Sequence, residues 1–257
     1  MSERPPKPSG RWSDLRPYTP ARVGLGRTGV SLPTVRHLEF QLAHALARDA
    51  VYAQLDAGGI ATALAELEFV THHVRSAAPD RYIYLRRPDL GRRLAAASRE
   101  LLEAARQQDC RLCFVLADGL SATAVNRYAV ETVAATANAL DAGERYGVPA
   151  VLAEQGRVAL GDEIGELLGA EVVVVLIGER PGLSAHDSLG AYVTWTPQSG
   201  TTDAFRNCIS NVRYGGLSTG EAGAQIAALI AEARRHRCTG VALSSVLAAH
   251  RLPHSRG

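Results

Sequence analysis

The sequence predicts an α/β protein, an open and mostly parallel sheet with a helical N-terminal segment, and three observations predict it. Residues 172–177 form an unbroken apolar run with four consecutive valines, as in a strand covered on both faces inside a parallel sheet. Two further apolar runs of strand length, 112–117 and 148–153, precede it, and stretches of helical periodicity lie between the runs. At 257 residues and 46% hydrophobic content, the chain is long enough to bury the two-faced core such a sheet requires.

In chain order, residues 1–33 hold six of the twelve prolines and little apolar periodicity, so an extended arm is expected there. Within it, Gly24-Leu25-Gly26-Arg27-Thr28-Gly29 matches the GxGxxG dinucleotide pattern, but a proline-rich stretch precedes it where a strand is needed. A Gly-rich arm is the better reading. Between Pro33 and Asp56, Val35, Leu38, Leu42, Leu46 and Ala50 recur at helical spacing, and a second helix is expected from Ile60 to Val74. Residues 82–85 read as a short strand and 88–107 as a helix.

The pattern then becomes strand, helix, strand. Residues 118–121 form a tight turn whose Ser121 can cap a helix striped by Val125, Ala129, Val133 and Ala137. After the strand at 148–153, Asp162 is expected to cap a short helix closed by Gly169. Beyond the valine run come a helical turn at 186–189, strands near 191–196 and 208–212, a helix over 220–235 and an unstructured tail. The organisation expected is residues 1–80 as arm and helices, 81–241 as the sheet domain and 242–257 as a tail.

Net charge is only +2 and the arginines are interleaved with acids, which argues against nucleic acid as the main partner. No apolar run approaches the roughly 20 residues of a membrane helix, and the N-terminus lacks the apolar core of a signal peptide, so no membrane partner and a cytoplasmic location are expected. The one basic region, with Arg4, Lys7, Arg11, Arg16, Arg22 and Arg27, suits docking on an acidic surface. Cys110 and Cys113 form a CxxC without a second ligand pair, and their apolar setting fits core cysteines. No metal ligands are assigned.

Open sheets bind ligands beyond the carboxyl ends of their strands. The candidates at that edge are Asp118, Ser121, Val158, Glu179, Arg180, Ser184 and the loops around Cys208. Walker A, GxSxG and HExxH motifs are absent. Glu179 and Arg180 in GERPGL fit either a surface ion pair or a carboxylate presented to a polar ligand, and the residues alone leave both open.

The segments RDAVYAQLD, YLRRPDLGRRL, ADGLSATAV, GRVALGDEIGELLGAEVVVVLIGERPGL, SLGAYVTWTP and CISNVRYGGLS, in that order, resemble the small-subunit family of ethanolamine ammonia-lyase over residues 23–241. The resemblance implies a Rossmann-like domain and a place in an adenosylcobalamin-dependent enzyme that converts ethanolamine to acetaldehyde and ammonia. It puts the catalytic barrel in a large subunit, so no catalytic residue is expected here. By matched motif it implies cofactor contacts at Val158, Glu179 and Cys208. No DxHxxG is present, which implies that cobalamin keeps its own base on cobalt. Enclosure in a bacterial microcompartment stays open. The runner-up is a free-standing α/β nucleotide-binding enzyme using Glu179 or Asp118, and a third reading is an assembly protein without ligand.

Overall fold

The computed structural model describes residues 12–106, 108–141 and 147–251. Arg4, Lys7 and Arg11 of the basic region, Gln107 at the end of one expected helix and the chain beyond Arg251 lie outside them. Six strands form one sheet in the order β1-β3-β2-β4-β5-β6: β1 (Val70–Arg75), β2 (Leu112–Ala117), β3 (Pro149–Glu154), β4 (Val172–Gly178), β5 (Leu189–Trp195) and β6 (Arg206–Val212). The first four strands of that order are parallel, and β5 and β6 extend the sheet antiparallel. The expected mostly parallel sheet is present.

Alternation along the buried strands builds two cores, one on each face. Leu112, Phe114 and Leu116 of β2 and Val172, Val174 and Leu176 of β4 pack with α2 (Ala57–Glu66), α5 (Ala122–Ala139) and α7 (Thr219–His236). Their neighbours Cys113, Val115, Val173, Val175 and Ile177 pack with α4 (Ala96–Ala104) and α6 (Leu160–Leu168). Cys110 also belongs to this second cluster, and burial raises the thiols of Cys110 and Cys113 above their ordinary pKa.

Four local expectations give way. The helix expected to reach Val74 stops at Glu66, and residues 70–75 become β1, paired with β3 along its whole length. Residues 82–85 lie within a helix, α3 (Arg81–Arg86), because Asp80 caps it by accepting from Ile83 N at 2.8 Å and the helix buries Tyr84. The helix expected over 88–107 divides into a 3₁₀ turn, Leu90–Arg92, and α4; between them Ala95 N donates to Arg75 O at 3.0 Å, tying the segment to the end of β1. No helical turn forms at 186–189, which runs into β5. In addition, α8 (Val241–Arg251) continues the chain as helix into the expected tail.

The N-terminal arm is laid against the loop that follows β4. Arg22 donates to Leu183 O and Ser184 Oγ donates to Pro20 O, each at 3.3 Å. Gly24, Gly26 and Gly29 all adopt positive φ, and no strand leads into them, so the GxGxxG match does not form a dinucleotide turn. Helix α1 (Thr34–Tyr52) buries only Ala50, and its stripe of Val35, Leu38, Leu42 and Leu46 is exposed.

Candidate functional site

Strands β2, β3 and β4 end at one edge. The chain leaves β2 for α5 on one face and β3 for α6 on the other, which opens a crevice between the two turns. Asp118 closes the bottom of that crevice. It is 4% exposed, its Oδ1 accepts from Gly156 N at 3.1 Å, and its Oδ2 accepts from Arg81 at 3.4 Å. Burial pushes its carboxyl up to about 6, against the opposing pull of Arg81 and the backbone N–H groups of Gln155, Gly156 and Gly119.

Arg81 also donates to Gly119 O at 2.8 Å and Val51 O at 2.6 Å. Beside it the fully buried Tyr84 donates its hydroxyl to Gly156 O at 2.8 Å, with the guanidiniums of Arg81 and Arg157 over its ring at 4.8 and 4.3 Å. A Cβ at Gly178 would stand 2.1 Å from Ser121 O, so this close packing of the β2–α5 turn on the end of β4 depends on glycine. The result is a braced floor.

Above the floor lies a concavity of about 440 Å³, lined by Tyr84, Leu120, Val158, Glu179, Tyr192 and Ser210 among others. Glu179 is the first residue beyond β4. Its Oε2 accepts from Ser188 Oγ and its Oε1 from Ser210 Oγ, both at 2.5 Å, while its backbone N donates to Ser188 O at 2.9 Å. No ion pair joins Glu179 to Arg180 among the described residues. The carboxylate, carrying roughly four lone-pair sites, keeps acceptor capacity beyond those two hydroxyls.

Val158 and Glu179 therefore share one wall. Cys208 stands beside it, across the β5–β6 pairing from Tyr192. Burial raises the pKa of both groups, so the pair is neutral near pH 7. Arg180 lines the concavity, whereas Asp118 and Ser121 lie buried beneath it and Ser184 holds the N-terminal arm. Two expected caps serve otherwise. Ser121 donates to His186 O at 2.9 Å instead of capping α5, and Asp162 is buried inside α6 with Arg206 as its partner. Both hydroxyl and carboxylate find a tertiary partner that outbids a local turn.

Tyr84, Arg157, Tyr192 and Ser210 were not singled out from the sequence. Ser210 had a signal, since it lies two residues from Cys208 on one strand and so on the same face. Tyr84 and Arg157 had none, because only folding brings α3 under the β3–α6 loop.

Residues 9–244 match the family model described as "Ethanolamine ammonia-lyase light chain (EutC)". The chain belongs to the ethanolamine ammonia-lyase light chain family. Relatives bearing the name ethanolamine ammonia-lyase small subunit include one from Pseudomonas fluorescens (strain Pf0-1), 50% identical over 95% of this chain and 90% of its own. Another, from Xanthomonas campestris pv. campestris (strain B100), is 51% identical over 95% and 90% respectively. A third, from Pseudomonas putida (strain F1), is 48% identical over 98% and 94%. The enzyme that names the light chain family is a lyase, and the chain is of its small-subunit type. Val158, Glu179 and Cys208 all fall inside the family match.

Proposed function

We propose that this chain is the cobalamin-contacting small subunit of an ethanolamine ammonia-lyase, completing the cofactor site at an interface with a large catalytic subunit. The observation that carries the reading is the Glu179 carboxylate, held open by two serine hydroxyls in the wall of a concavity that also contains Val158 and Tyr192. A corrin is a broad, largely apolar plate rimmed with amide side chains, and such a ligand needs flat apolar cover plus a few fixed acceptors. Val158 and Tyr192 supply the cover, and Glu179 accepts from amide N–H groups at the rim. Cys208, paired with Tyr192 across the β5–β6 ladder, offers a soft apolar edge.

Adenosylcobalamin, when bound, would supply the radical chemistry of the reaction. This chain's part is to hold and orient the cofactor and to exclude water from its side. The exposed stripe of Val35, Leu38, Leu42 and Leu46 on α1 supports a large partner, since an apolar helical face of this length calls for cover. The arm leading to α1 touches the Leu183–Ser184 loop beside Glu179 and Arg180.

Mixing this chain with the large subunit and adenosylcobalamin, with ethanolamine as substrate, tests the reading. Acetaldehyde should form only with both chains present. Activity from this chain alone, or none from the assembled pair, contradicts it.

A further inference from the structure

Arg157, Val158 and Tyr192 also line a second concavity. The second, about 1000 Å³, lies between the Leu90–Arg92 turn, the β3–α6 loop and the segment 199–206. Five arginines line it, Arg92, Arg93, Arg99, Arg157 and Arg206, against three carboxylates, Asp89, Glu163 and Asp203. Each carboxylate is already matched. Asp89 accepts from Arg87 at 2.9 and 2.7 Å, Glu163 from Arg99 and from Leu94 N, and Asp203 from Arg206 Nε at 3.1 Å. Arg206 is further engaged by Asp162, and Arg99 by Glu163.

Arg92, Arg93 and Arg157 remain. Among the described residues none of the three makes an ion pair or donates a side-chain hydrogen bond, and Arg157 lines both concavities with its guanidinium stacked on Tyr84. Asp89, already bonded to Arg87, also feels the charge of Arg93; three guanidiniums with no bonded carboxylate around one open cavity suit an oxyanion presenting several acceptor oxygens. Cobalamin carries one such group, the phosphodiester of its nucleotide arm, which leaves the edge of the corrin. We propose that the cavity walled by Arg92, Arg93 and Arg157 receives this phosphodiester, an assignment that rests on the cofactor reading above.

The test compares cyanocobalamin with cyanocobinamide, which has the corrin but lacks the phosphodiester and its base, as ligands of the complex with the large subunit. Binding is read by equilibrium dialysis, independently of turnover. The variant is Arg92→Gln/Arg93→Gln, chosen because both side chains are exposed and unbonded and their loss spares the fold. Cyanocobalamin affinity should fall roughly tenfold or more, with cyanocobinamide affinity unchanged, as expected when charge-assisted bonds to one ligand group are removed. An equal fall for both ligands, or no change in either, overturns the phosphodiester assignment. A wild-type complex that binds neither corrinoid removes the cofactor reading itself, a different result from the other two.

Discussion

A Cβ at Gly190 would stand 2.9 Å from Glu179 Oε1. Gly190 lies across the β4–β5 pairing from Ile177, at the end of the strand that Glu179 follows, and its missing side chain leaves the space in which the carboxylate meets Ser188 and Ser210. The position of the carboxylate thus depends on a residue with no side chain of its own.

Gly190→Ala should move the carboxylate while sparing the fold, because the obstructed atom is the end of a flexible side chain. Thermal stability of the isolated chain should change by less than about 1 kcal/mol. Cobalamin affinity of the complex should fall by roughly tenfold, as expected of a displaced charged acceptor. A drop in stability with affinity intact in the folded fraction would show that Gly190 serves packing instead.

Asp118 gives the chain a pH dependence of definite sign. Its folded pKa, about 6, lies above its ordinary value of 3.8, so its contribution to stability is complete below about pH 4 and is lost as pH rises through about 6. At ~1.4 kcal/mol per pH unit, the whole effect is of the order of ~3 kcal/mol. Urea unfolding of wild type and Asp118→Asn between pH 4 and 7 should show the stability difference shifting against wild type as pH rises, then levelling. A difference independent of pH would mean that Asp118 does not titrate in this window.

Arg206 and Asp162 have side chains 2% and 1% exposed. Arg206→Met should destabilise the chain by about 3–5 kcal/mol, since it leaves a buried carboxylate uncompensated. Asp162→Leu/Arg206→Met should recover most of that loss, because the desolvation of both charges disappears with them. Chemical denaturation of the single and double variants distinguishes this from simple loss of arginine packing, which the double variant would not repair.

The central strands could be read directly, since β2, β3 and β4 are buried on both faces and so are written as continuous apolar runs. Strand β1 could not, because VTHHVR is an edge strand buried mainly at Val74 and its polar residues break the pattern. Residues 82–85 misled in the opposite direction: Tyr and Ile favour strands, but the Asp80 cap and the burial of Tyr84 under the β3–α6 loop decide for helix. At the site, Glu179 could be located by position alone, one residue past a buried strand. What holds it could not, because Ser188 at the entry to β5, Gly190 on β5 and Ser210 on β6 are brought together only by strand register set in three dimensions. The stripe on α1 was legible as amphipathic, yet sequence periodicity carries no sign of whether its cover comes from the chain's own core or from elsewhere.

The most direct test of the account is the cobalamin affinity of the complex carrying Glu179→Ala. Affinity should fall by about 1–3 kcal/mol, or roughly 5- to 150-fold in Kd, with subunit assembly retained, as for removal of a fixed polar partner. Unchanged affinity in a complex that still assembles would contradict it.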